Sequence, residues 1–199
     1  PGATSVLGKV LSMGQLMGSM LKGDAFLTIK INGVNGQLGN IIVDANSNGE
    51  VRGYVDHPHV SIVNNNGGIN DYYAIGTEGM IDVIKDLKLK DIFTSSVACT
   101  GNLANDFTYY FYESEQTLSV VSLAMLVDVD NKCKISGGLI VQLLPNASER
   151  TITYLEKIFF SFEIISPRIR ELLKNDNILK ELNKMLEEDL QLFRKEDLY

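Results

Sequence analysis

The sequence predicts an α+β fold, a core of antiparallel-rich sheets with packed helices over residues 1–145 followed by a helical linker region over 146–199. Three observations predict it. Residues 118–145 (LSVVSLAMLVDVDNKCKISGGLIVQLLP) are two apolar runs separated by the polar turn Asp130-Asn131-Lys132, the pattern of a hairpin whose strands are buried on both faces or nearly so. FLTIKI (26–31) alternates apolar and polar side chains, and an Asn48-Gly49 turn signal joins the strand-like IIVDA (41–45) to EVRGYV (50–55). Helical spacing of three and four residues governs residues 6–21 and returns after Pro145.

In chain order, Thr4 and Ser5 are N-cap candidates for a first helix in which Val6, Val10, Met13, Met17 and Met20 share a face, with Leu7, Leu11, Leu16 and Leu21 beside it. Gly8, Gly14 and Gly18 each cost about 1 kcal/mol of helix propensity relative to Ala, so close packing against another element is expected there. The methionines read as core in preference to an adaptable binding surface. FLTIKI (26–31) is an alternating strand with Thr28 and Lys30 on its wet side. Gly33, Gly36 and Gly39 form a GxxGxxG pattern, but a strand, NIIVDA, follows where a phosphate-binding loop requires a helix. A glycine-rich strand connection is therefore preferred. Asn48-Gly49 then joins two strands as a hairpin. His57 and His59 flank Pro58 without a third ligand at suitable spacing, which favours a surface loop over a metal site. Residues 71–75, 79–85 and 94–99 read as strands.

Residues 102–113 fit an amphipathic helix capped by Asn102, with Leu103, Phe107, Tyr110 and Phe111 on one face. Ser114, Glu115 and Gln116 end it; no base or partner adjoins them for catalysis, and they are expected to bond backbone at a corner. Asp128 and Asp130 resemble the opening of a calcium loop, but its Gly and terminal Glu are missing. In the following hairpin strand, Gly137-Gly138 points to a bulge or a close backbone approach. Beyond Pro145 a capping box at 146–149 opens amphipathic helices, whose stripes include Ile169, Leu172, Leu173, Ile178, Leu179 and Leu182. Short helices of this kind need something to dock on.

A net charge of -7 and pI near 4.9, with no Lys/Arg cluster, argue against nucleic acid or an anionic membrane as partner. Residues 6–21 are too short and too polar for a span, and they carry no basic leader or cleavage signature. Two cysteines, Cys99 and Cys133, lack metal-ligand spacing, so the chain itself is expected to hold no cofactor, and a cytoplasmic location is the default.

LKGD (21–24), NGVNGQLG (32–39), DANSNGEVRGYV (44–55), VIKDL (83–87), DFTYYFYESEQ (106–116) and SGGLIVQLLP (136–145) together resemble the bacterial redox-regulated heat-shock chaperones, the 33 kDa chaperonin or heat-shock protein thirty-three family. The resemblance runs in order from Pro1 to about residue 158. It implies an ATP-independent holdase that binds unfolding proteins, is not an enzyme, and is switched by a C-terminal zinc domain with CxC and CxxC motifs, often within a dimer. This sequence begins after the family's first strand and stops about where the CxC is due, so it is expected to be a core and linker without the zinc domain. Cys99 and Cys133 match no switch cysteine. On this reading unfolded clients, and a homodimer made by swapped terminal helices, are the partners, and Ile169, Leu172, Leu173, Ile178, Leu179 and Leu182 form the client-binding surface. The rival readings are a small-molecule site or enzyme built on residues 33–39 or on His57 and His59, and an oligomerisation module.

Overall fold

The computed structural model describes residues 2–60, 71–128, 130–145, 147–150 and 153. Helix α1 (Gly2–Ser19) is followed by strands β1 (Phe26–Val34), β2 (Asn40–Asn46) and β3 (Val51–Val55), the short helix α2 (Asp71–Ile75), strands β4 (Glu78–Asp86) and β5 (Phe93–Ala98), helix α3 (Leu103–Ser114) and the hairpin β6 (Ser119–Val127) with β7 (Cys133–Gln142). The first five strands form one antiparallel sheet in the order β3-β2-β1-β4-β5, and β6 and β7 form a second sheet of two strands. This is the expected α+β architecture, and it matches the solved structure compared below.

The apolar hairpin is not what the other described elements are arranged around. Instead α1 is the shared wall: it packs on β1, β2 and β3 of the large sheet and on β6 and β7 of the small one. Val6, Val10, Met13 and Met17 are fully buried along it, each side chain contributing about 1.5–3 kcal/mol by the usual area relation. Its glycines sit where neighbours come closest. A Cβ on Gly8 would lie 2.5 Å from the Met125 methyl, on Gly14 2.7 Å from a Val43 methyl, and on Gly18 2.6 Å from the Asn46 carbonyl oxygen. The helix begins at Gly2, earlier than the caps expected at Thr4 and Ser5; the Thr4 hydroxyl instead donates to the Asn131 carbonyl at 3.1 Å. Met20, beyond the helix end, is exposed.

Alternation along β1, β2 and β4 sends Leu27, Ile29, Ile31, Ile41, Val43, Ala45, Ile81 and Val83 inward. The β2–β3 turn is wider than a two-residue hairpin. Gly49 stands at φ 81° and its N–H donates to the Asn46 carbonyl, while the Asn46 side chain accepts from the N–H groups of Asn48 and Glu50. Residues 71–75 are helical, not a strand. Ala74 and Ile75 face the core, Tyr72 and Tyr73 face water, and Asp71 in the first turn pairs with Lys9 of α1.

Helix α3 matches its expected span: the Asn102 side chain accepts from the Asn105 N–H at 3.3 Å, and Leu103, Phe107, Tyr110 and Phe111 are buried. β6 is buried for most of its length as expected, but β7 is only half covered. A bulge falls between Leu126 and Val127 and not at Gly137-Gly138; Gly138 is the close approach, since a Cβ there would lie 2.6 Å from the Ser122 carbonyl. The Asp128 carboxylate accepts from the N–H groups of Asp130 and Lys132, so turn chemistry accounts for that pair of acids.

Candidate apolar docking surface

The same alternation that buries one face of the large sheet presents the other outward. Cross-strand register builds it in rows: Arg52-Asp44-Thr28-Ile84-Thr94, then Tyr54-Ile42-Lys30-Asp82-Ser96, then Asn40-Asn32-Met80-Ala98. Among the described elements, the helices pack into the core on the opposite face. Phe26, Tyr54 and Met80 are 40%, 53% and 44% exposed, and Ile42 and Ile84 are half-buried between them. The polar members are tied to each other. Thr28 donates to Asp44 at 2.7 Å, Arg52 reaches the same carboxylate at 3.2 Å, and Ser96 donates to Asp82 at 2.6 Å. Satisfying those groups laterally leaves the apolar side chains available for contact from above.

The patch continues at the β4–β5 turn. Leu87, Leu89, Ile92 and Phe93 are exposed there, and Lys88 lies 4.5 Å from the centroid of the Phe26 ring. Asp86 accepts from the Lys88 N–H and ammonium, which hold its carboxyl below the ordinary carboxylate value. Sequence reading put Thr28 and Lys30 on the wet side of β1 and passed over Phe26. Phe26 has the same parity as those two residues, so the signal was present.

The predicted surface residues Ile169, Leu172, Leu173, Ile178, Leu179 and Leu182 lie outside the described residues, as do Asn146 of the capping box and nearly all of the helices expected after it.

The other candidate residues are accounted for as structure. In the glycine-rich connection the N–H groups of Gly36, Gln37 and Leu38 donate to the carbonyls of Gly33, Tyr73 and Ala74, so they are spent on protein acceptors and not presented to a phosphate. A Cβ on Gly33 or Gly36 would meet the Ile75 carbonyl at 1.5 or 2.0 Å, which explains both glycines by the docking of α2. His57 and His59 are exposed on a loop; Asp56 beside them accepts from the Asn40 main-chain and side-chain N–H groups, which lower its pKa. A shallow cleft of about 650 Å³ lies at the far end of the sheet, lined by residues including Asp24, Phe26, Asp44, Glu50 and Arg52 and by none of these candidates.

Among the described residues no group of three His, Cys, Asp or Glu side chains is placed to hold a metal, and the two cysteines do not fit a zinc site. Cys99 is buried beside Asp106, and burial pushes its thiol up to about 11, whereas Cys133 is exposed. Glu115 departs from expectation. Its carboxylate does not bond backbone but accepts from Lys85 and from the Tyr110 hydroxyl, the latter at 2.5 Å, pinning the end of α3 to β4. Burial raises the Glu115 pKa, and the bonds from Lys85 and Tyr110 outweigh it, so the net shift is downward.

Comparison with known proteins places these features in a family. The Hsp33 protein family model matches residues 1–199. The chain is 45% identical over 184 residues to a 33 kDa chaperonin of Geobacillus sp. (strain WCH70), covering 92% of this chain and 62% of the relative. It is 41% identical over 197 residues to a 33 kDa chaperonin of Staphylococcus aureus (strain JH9), covering 98% and 66%. The crystal structure of the 33 kDa chaperonin (heat shock protein 33 homolog) of Thermotoga maritima superposes with a TM-score of 0.70 at 33% identity, covering 92% of this chain and 58% of that one. The chain thus spans less than two thirds of the length of these relatives. A family match over every residue, with a shared fold, means that this chain belongs to the Hsp33 protein family.

Proposed function

We propose that this chain is the core and linker of an ATP-independent chaperone of the cytoplasm, which holds unfolding proteins through apolar surface and performs no catalytic step. The observation that carries this reading is the outer face of the large sheet, where Phe26, Tyr54 and Met80 stand exposed among laterally paired polar groups. Such a patch on a folded platform is a binding surface by default. The apolar stripes containing Ile169, Leu172, Leu173, Ile178, Leu179 and Leu182 are the matching component: docked, they would cover the face, and released, they would add to it. Stress is the condition that releases them, and two copies exchanging their terminal helices would combine two such faces. The zinc thiol switch that the family resemblance implies is not one that Cys99 and Cys133 provide, because one thiol is buried and poorly ionised.

Light scattering from a thermally unfolding enzyme, without nucleotide, tests the proposal under reducing and oxidising conditions. The chain is expected to suppress scattering in at least one condition, and the triple substitution Phe26→Ser, Tyr54→Ser, Met80→Ser is expected to lose most of that suppression with its circular dichroism unchanged. Unchanged scattering at stoichiometric chain in both conditions would overturn the holding activity.

A further inference from the structure

Two sulfur atoms meet where the small sheet passes beneath α1. Met125 of β6 pairs with Ser136 of β7 and Leu126 with Ile135, but Val127 pairs with Cys133, so Lys134 is an extra residue on β7. In an unbroken register Lys134 would stand opposite Val127, and Cys133 would point to the other face. The bulge turns Cys133 onto the face that Val127 and Met125 share, one diagonal step from Met125. There the Cys133 thiol donates to the Met125 sulfur at 3.6 Å.

The thioether is held in place for that contact. Met125 is only 7% exposed, and a Cβ on Gly8 would meet its methyl at 2.5 Å and its sulfur at 2.8 Å, so the glycine makes the room it occupies. Ser136, opposite Met125, is bonded to Ser12 of α1 through their hydroxyls at 2.8 Å, which fixes the strand under the helix. The Cys133 thiol, by contrast, is exposed. One buried and one accessible sulfur donor therefore converge from two strands. Metal–sulfur bonds of about 2.3 Å to atoms 3.6 Å apart enclose an angle of about 100°, which a three- or four-coordinate ion accepts without moving either strand.

We propose that Met125 and Cys133 form a binding site for a soft monovalent metal ion, copper(I), whose remaining position is filled by water or a small thiol. Thiolate and thioether sulfur select copper(I) over harder ions. Among the described residues no three His, Cys, Asp or Glu side chains converge, so the four-ligand set of a structural zinc site is not supplied. On binding, the Cys133 S–H bond breaks, its proton goes to solvent, and copper bonds to both sulfurs with no change in oxidation state. The site is independent of the holding activity proposed above. Because the ion joins β6 to the bulge of β7, its occupancy clamps this end of the hairpin beneath α1.

The test titrates the full 199-residue chain, reduced and free of oxygen, with copper(I) against a coloured copper(I) chelator. One ion per chain is expected. Met125→Leu, which keeps the apolar volume, is expected to weaken binding at least about tenfold, and Cys133→Ser to abolish it, while Cys99→Ser binds like the parent. Equal affinity of the parent and Met125→Leu reduces the site to a single thiol and overturns the proposal, as does loss of binding in a folded Cys99→Ser chain. Zinc(II) at equal concentration is expected not to displace the ion; displacement overturns the assignment to copper(I). Should Met125→Leu lose its circular dichroism, the parent alone decides. Of its six methionine methyl groups, isotope-labelled for NMR, that of Met125 is expected to shift on copper(I) addition, and an unshifted Met125 signal overturns the chelate.

Discussion

Replacing Gly18 and Gly8 of α1 by alanine, one at a time, separates packing from propensity. Both replacements gain helix propensity, about 1 kcal/mol in a helix interior, with less expected at Gly18 because it lies in the last turn. The new methyl groups meet different neighbours. At Gly8 the contacts under 3.0 Å are the methyl and sulfur of Met125, the far end of a flexible side chain that can rotate away. At Gly18 the contact is the Asn46 carbonyl oxygen at 2.6 Å, with Ala45 Cβ at 3.2 Å behind it. That oxygen belongs to β2 just where the β2–β3 turn is closed, so relief requires α1 to move off the sheet. Overpacking of this kind costs about 1–3 kcal/mol. Gly8→Ala is therefore expected to lie within about 1 kcal/mol of the parent, and Gly18→Ala to be destabilised relative to Gly8→Ala by about 1–3 kcal/mol. Urea unfolding followed by far-UV circular dichroism measures both. A Gly18→Ala chain as stable as the parent, or equal losses at the two positions, would refute the assignment of these glycines to different neighbours.

Other expectations follow from the same contacts. Glu115 has a folded pKa below its ordinary 4.5, so its stabilising contribution is complete above that value and is lost as pH falls through the folded one. Glu115→Gln should reduce stability near neutrality by about 1–3 kcal/mol and flatten the acid limb of a stability-against-pH curve; an unchanged limb would show that Lys85 and Tyr110 do not hold the carboxylate. Iodoacetamide near pH 8 should label Cys133 readily and leave Cys99 unlabelled until denaturant is added, because burial holds its thiol near 11; mass spectrometry of the digested chain reads the ratio, and comparable labelling of the two would contradict that burial. Gly36→Ala should cost at least about 2 kcal/mol through its clash with the Ile75 carbonyl, whereas added phosphate should leave the melting temperature of the parent unchanged; a phosphate-dependent rise would reopen the glycine-rich loop as an anion site.

What was legible in the sequence was whatever local periodicity controls. The parity of residues 26–31, the Asn102 cap and the interrupted apolar run at 118–145 each depend on neighbours within a few residues, and each pattern falls within the element it pointed to, although β1 runs on to Val34. Residues 71–75 misled because two tyrosines and an isoleucine have strand propensity. Their helix is set by Lys9, which is 62 residues away, and by a glycine-rich connection whose N–H groups reach the Tyr73 and Ala74 carbonyls. The role of α1 as a wall between two sheets was likewise hidden, because burial on most sides of a helix does not say what lies on each side. The outer sheet face was half legible: Thr28 and Lys30 marked it as wet, and only the pairing of β1 with β2 and β4 brings Phe26, Ile42, Tyr54, Met80 and Ile84 onto one surface.

The position of α1 has a consequence in time. Its contacts to the second sheet close across the whole described core, from Thr4 to Asn131 and from Ser12 to Ser136, separations of 127 and 124 residues. In a chain emerging from the ribosome, this helix precedes each of the described strands it packs against and cannot complete its described contacts until β7 has emerged. Its methionines and valines must wait exposed through that interval, and contacts of such long range slow folding. A protein proposed to shelter other chains during unfolding would itself pass through synthesis with α1 unsheltered.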